Sequence, residues 1–132
     1  MSSFREFLLL KLLRNSKNEP LENRSGKQLY QVVSRFSYFS DEYGQVVVPA
    51  GFVTDLASIP RLPFFYMMLG DSIQEPAVIH DYLYSTGILS RKDADNVLLE
   101  AMEVTGISWF KRHLIYWGVR IGGNSSYDSP GT

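Results

Sequence analysis

The spacing of apolar and polar positions changes character near the middle of the chain. Before Pro49 the apolar residues fall in short runs rich in β-branched and aromatic side chains. After it they recur every three or four residues. The pattern predicts an α+β fold: an antiparallel β-hairpin or small three-stranded sheet packed by about three helices, with strands between about 7 and 48 and helices between about 64 and 122. Phe7 to Leu13 is as apolar as a buried strand and short for a helix. Asn15 to Gly26, polar with Pro and Gly, reads as a loop. Leu29 to Phe39 reads as one strand, and Gln45 to Val48 as a second, stopped by Pro49. The turn Asp41-Glu42-Tyr43-Gly44 joins them into a hairpin.

In the second half, Pro60 and Pro63 bracket a short helix through Phe65 and Met68, ended by Gly70. The run Phe64 to Met68 reads as core. Asp71 or Ser72 can cap a helix that holds Pro76 in its first turn and stops at Gly87. Ser90 caps the next, with Asp93 three residues on as in a capping box, and Gly106 ends it. Ser108 caps a last helix from Trp109 to Ile121, closed by Gly122-Gly123. Residues 1–123 are expected to form one domain, and residues 124–132 a flexible tail.

Composition narrows the chemistry. The chain has 132 residues, 45% of them apolar, enough for one domain with its own core. It has no cysteine, which excludes a disulfide framework, a thiolate metal site and a cysteine nucleophile, and only two histidines, which exclude a three-histidine metal site. The net charge of -1 carries no specific nucleic-acid signature. Charge is uneven, however: residues 1–40 hold seven Lys/Arg against three Glu, and residues 41–132 hold six against eleven acids. No segment approaches the roughly 20 apolar residues of a transmembrane helix, and the start of the chain lacks the features of a signal peptide. The expected location at synthesis is the cytoplasm.

Two polar residues sit where the helical pattern expects apolar ones. His80 shares a face with Ala77, Leu83 and Tyr84. Asp95 shares one with Leu98, Leu99 and Met102. The two helices are joined by a few residues around Gly87-Ile88-Leu89, so they should pack antiparallel and let His80 and Asp95 meet across the seam. One reading is a core pair that fixes helix register. The other is a site, because His80, Asp81, Tyr84, Arg91, Asp93 and Asp95 fall within sixteen positions, and the stiff loop around Pro49, Pro60 and Pro63 should bring Asp55 and Arg61 back to them. In that reading His80 is a general base oriented by Asp95, Tyr84 supports it, and Arg61 and Arg91 line the pocket. Asp81 and Asp55, with backbone carbonyls between Gly51 and Ser58, would hold calcium or another divalent cation. The stripe Arg112, Tyr116, Arg120 reads as a solvated helix face, and His113 as a surface residue.

Two strings carry a resemblance: Val48-Pro-Ala-Gly-Phe-Val-Thr-Asp-Leu-Ala-Ser-Ile-Pro-Arg61, and Ala77-Val-Ile-His-Asp-Tyr-Leu-Tyr84 followed by Ser90-Arg-Lys-Asp-Ala-Asp95, Met102 and Val119-Arg120. They resemble an uncharacterised family of small bacteriophage and prophage proteins, domain of unknown function thirteen fifty-three, over roughly residues 29–122. The resemblance implies a phage origin and carries no established activity. More locally, His80-Asp81 with Tyr84 and a later Asp95 is similar to the His-Asp helix of secreted and parvoviral phospholipases A2. That similarity implies His80 as base toward water, Asp81 as calcium ligand, Asp95 as the group orienting His80 and Tyr84 as support. The glycine-rich calcium loop and the disulfides of that family are absent here.

Three functions fit these observations. The first is a small metal-assisted hydrolase acting on a host envelope component or small ester. The second is a virion structural component (a head-completion, connector or tail protein) partnered by other virion proteins and incorporated in the particle. The third is an early protein that blocks a host factor.

Overall fold

A computed structural model describes residues 1–23, 28–56 and 73–122. The expected short helix between Pro60 and Gly70, its run Phe64–Met68, Arg61 and the tail after 123 lie outside the described residues. The fold is α+β, and the described residues form six short strands followed by three helices. The strands are β1 (Ser3–Phe4), β2 (Leu10–Leu12), β3 (Tyr30–Val32), β4 (Phe36–Ser40), β5 (Gly44–Val48) and β6 (Val53–Thr54). The helices are α1 (Gln74–Thr86), α2 (Arg91–Val104) and α3 (Trp109–Gly122).

The strands form two antiparallel three-stranded sheets, β1-β4-β5 and β2-β3-β6, where the sequence pattern suggested one. The difference lies in the run Leu29–Phe39, which is not a single strand. Its β propensity is continuous, but its partners change. Val33 N–H bonds to Leu9 O at 2.9 Å, while Arg5 N–H bonds to Ser37 O at 3.0 Å. Between them the chain turns from one sheet into the other, leaving Val33 54% exposed between buried Val32 and Phe36. Of the apolar run Phe7–Leu13, only Leu10–Leu12 is strand, and Phe7 is 90% exposed. Where a loop was expected, isolated antiparallel bridges join Arg14 to Pro20 and Glu22 to Gln28.

The β4–β5 hairpin behaves as its pattern requires. Phe36 pairs with Val48 and Tyr38 with Val46, so all four buried side chains share one face. Ser40 Oγ accepts from the N–H groups of Glu42 and Tyr43 in the turn, and Gly44 takes φ +86°, the left-handed conformation that three-residue hairpin loops use. The buried face packs on Val78, Ile79 and Leu83 of α1 and Ala94, Val97 and Ala101 of α2. On the other side of this helix pair a second cluster joins Ala77, Leu98 and Met102 to Ile115 and Val119 of α3. The α1–α2 seam is therefore the middle layer, covered by sheet on one side and by α3 on the other.

Helix ends follow local chemistry in most places. Gly87, at φ +63°, closes α1 with its N–H on Leu83 O at 3.0 Å. Ser90 Oγ accepts from Asp93 N–H at 3.1 Å and caps α2. Gly106, at φ +85°, follows its end. The start of α1 departs from expectation. Its N-cap is Ile73, which makes no side-chain cap bond, and the expected caps Asp71 and Ser72 lie outside the described residues. Ile73 already has helical backbone angles, its carbonyl accepts from Ala77 N–H, and Pro76 removes one of the donors a cap would serve.

Candidate functional site

Gly87 and Ser90 confine the α1–α2 connection to a few residues, so α2 folds back along α1. His80 then faces Asp95, and both are 0% exposed. His80 Nε2 lies 2.6 Å from Asp95 Oδ1, and Tyr84 OH donates to the same oxygen at 2.5 Å. The other oxygen, Oδ2, accepts from Arg120 Nη1 at 2.8 Å. The Arg91 guanidinium stands 4.0 Å from Oδ2 and donates to Val119 O and Arg120 O at 3.2 and 2.9 Å. Those carbonyls belong to the last turn of α3, which has no partners within the helix. Arg91 therefore caps α3 from α2, while Arg120 reaches back from α3 to Asp95.

The electrostatics assign the protons. Burial removes the His80 imidazole from water and pushes its pKa below the ordinary value of 6.5, outweighing the opposing pull of Asp95. Burial alone would raise the Asp95 pKa. The hydrogen bonds from His80, Tyr84 and Arg120 outweigh it and hold the carboxyl below its ordinary 3.8. The Tyr84 hydroxyl is pushed up by burial and by the adjacent carboxylate, so it stays protonated. At neutral pH the cluster is an ionised Asp95, a neutral His80 and a cationic Arg120. A carboxylate only accepts, so the imidazole proton resides on Nε2 and Nδ1 carries a lone pair. Among the described residues, His80 Nδ1 is the one buried side-chain nitrogen or oxygen without a hydrogen-bond partner.

Asp81, next to His80, is half-buried and accepts from Thr54 Oγ1 at the end of β6. Asp55 follows Thr54 directly and accepts from Asn23 Nδ2. The strand β6 thus brings Asp55 to the corner where Asp81 sits. Both offer the oxygen donors that a hard cation prefers. Among the described residues no three acidic or imidazole side chains gather into a metal-binding set, so a cation there would also draw on backbone carbonyls. Asp93 serves the first turn of α2 rather than the cluster.

The stripe Arg112, Tyr116, Arg120 is not a solvated face. Arg112 donates to Ile107 O at 3.0 Å, Tyr116 OH to Asn96 Oδ1 at 3.1 Å, and Arg120 to Asp95. The stripe flanks the buried Ile115 and Val119, and that adjacency was the available signal. His113 is stacked on Trp109, with ring centroids 4.2 Å apart, away from the cluster.

A small α+β domain whose helical layer encloses a His-Asp-Tyr-Arg network defines the class to which the site belongs. The family model described as Protein of unknown function (DUF1353) matches residues 30–119, from β3 into the last turns of α3, and the chain belongs to that family. The matched span holds His80, Asp81, Tyr84, Arg91 and Asp95. No curated protein and no solved structure matches the chain.

Proposed function

We propose that this is a small bacteriophage hydrolase in which His80 is the general base and Asp95 the group that orients it. The observation that carries the reading is the lone Nδ1 of His80. A buried acceptor without a donor costs about 1–3 kcal/mol, and such groups persist where they serve chemistry or meet a ligand. The opposite ring nitrogen is fixed by a carboxylate, as general-base catalysis requires. In the proposed step Nδ1 takes a proton from water as its oxygen attacks an ester carbonyl, and the proton passes to the departing alcohol. Asp95 remains ionised throughout and steadies the imidazolium. Asp81 and Asp55 would be the residues to hold a divalent cation such as calcium, and the chemistry such an ion would supply there is charge stabilisation of a developing oxyanion. The local similarity to the phospholipase A2 helix supports the same assignment of roles to His80, Asp81, Tyr84 and Asp95.

Full burial of His80 and Asp95 favours a second reading, a virion component in which the network locks helix packing. One substitution separates the two. On the hydrolase reading, the wild type hydrolyses members of an ester panel that includes phospholipids, and His80→Gln abolishes the activity with its circular dichroism spectrum retained. On the virion reading the wild type is inert, His80→Gln loses about 1–3 kcal/mol of stability, and the protein is found in purified particles.

A further inference from the structure

The last helix, α3, is apolar on both sides. Ile115 and Val119 turn inward and are buried against α1 and α2. On the opposite side Phe110, Trp117 and Ile121 recur at i, i+7 and i+11, the spacing of one helix face, and Trp109 flanks them. These four side chains are between 59% and 82% exposed, and they include both tryptophans of the chain. A helix that is apolar all round is ordinarily covered all round, and a contiguous exposed patch of this kind marks a binding surface. We propose that this face of α3 docks on an anionic lipid surface, with the helix lying in the plane of the membrane interface.

Charge selects the occupant. α3 carries Lys111, Arg112 and Arg120 and no acidic residue. The charge of Arg120 is met by Asp95. Arg112, three residues from Trp109, donates to a neutral acceptor, Ile107 O, and keeps its charge beside the apolar face. Two copies packed through this face would set cations against cations, whereas phosphate headgroups complement them. Area points the same way. At their exposures the four side chains present on the order of 500 Å². A stable protein interface takes roughly 800 Å² from each partner.

Tryptophan chemistry fits the same occupant. An indole is an apolar ring with one N–H donor, suited to the boundary between headgroups and acyl chains. Both indoles are already braced, so docking orders little that is loose. Trp109 stacks on His113 with ring centroids 4.2 Å apart, and Trp117 meets Tyr116 edge-on at 5.4 Å. The 14 residues of α3 make a helix about 21 Å long, against roughly 30 Å of hydrocarbon core. No described helix is long and apolar enough to cross a membrane. α3 therefore lies on the bilayer rather than through it. Docking of this kind requires no hydrolysis and does not depend on the reading of His80 as a base.

The test uses the whole chain with its own tryptophans as reporters, because both lie on the proposed face. Vesicles of phosphatidylcholine alone are compared with vesicles of equimolar phosphatidylcholine and phosphatidylglycerol. On the anionic mixture the tryptophan emission should shift to shorter wavelength and the chain should sediment with the vesicles, more strongly than with the neutral lipid. Added salt should weaken the anionic binding. Phe110→Ser and Ile121→Ser, each at an exposed position, should keep the circular dichroism spectrum and bind at least about tenfold more weakly. If one of them does not fold, the other decides. No emission shift with either vesicle overturns the inference, as does equal binding to both, or a folded Phe110→Ser or Ile121→Ser chain that binds like the wild type. A chain that dimerises in solution, loses the dimer in Phe110→Ser and ignores vesicles assigns the face to a second copy and overturns it too. Ester hydrolysis reads the functional proposal separately. Vesicle binding by a chain that cleaves no ester leaves the docking face standing and removes the hydrolase. Cleavage of a soluble ester by a chain that ignores vesicles does the reverse.

Discussion

His80 and Asp95 were legible because each breaks an apolar stripe at helical spacing, and a short connection forces the two stripes together. Tyr84 was legible for the same reason, four residues from His80 on its face. Arg120 was not. A guanidinium on a helix is equally at home in water, and only the placement of α3 over the α1–α2 seam brings it to Asp95. The cluster gives stability a pH dependence with a defined sign. The His80 pKa is depressed in the folded state, so between that value and 6.5 the unfolded chain binds the extra proton. Stability should fall as pH drops below 6.5, by up to about 1.4 kcal/mol per pH unit for one proton. Asp95 contributes stability above 3.8 that is lost as pH falls through its depressed folded value, at more acidic pH. Urea denaturation at several pH values should show the upper window in the wild type and lack it in His80→Gln. An identical slope below pH 6.5 in both would contradict the assignment of a buried neutral imidazole.

At the scale of elements, helix ends were read well where one residue decides them. Gly87 supplies a left-handed cap, and Ser90 supplies an oxygen to Asp93 N–H. The bend at Val33 was not legible, because β propensity does not record which partner a strand has. The start of α1 at Ile73 was missed for a related reason: a capping residue is only a local preference, and Ile73 occupies the cap position with no side-chain bond. Ser90 also fixes the first turn of α2, where Arg91 grips α3. Ser90→Ala should therefore lower stability by about 1 kcal/mol, measured by denaturant unfolding. No change in the midpoint would mean that the cap bond contributes nothing.

For the molecule as a whole, the α+β class followed from the change in periodicity at Pro49. The division into two sheets did not, since it arises from long-range pairing of the first residues with β4. The layered arrangement puts the cluster in the centre and sets Asp81 and Asp55 at the edge where β6 meets α1. If that edge binds calcium, the ion should raise the melting temperature of the wild type, because it stabilises only the folded state. Asp81→Asn should abolish the rise. An equal shift in both proteins would place the ion elsewhere.

The pH dependence of kcat/KM for ester hydrolysis tests most directly whether His80 acts as the base. The rate should increase from acid pH and level off, with its inflection below the ordinary imidazole value of 6.5, because burial depresses the pKa of the group that must be unprotonated. No hydrolysis at any pH, or a rate that falls as pH rises from 5 to 8, would contradict the account.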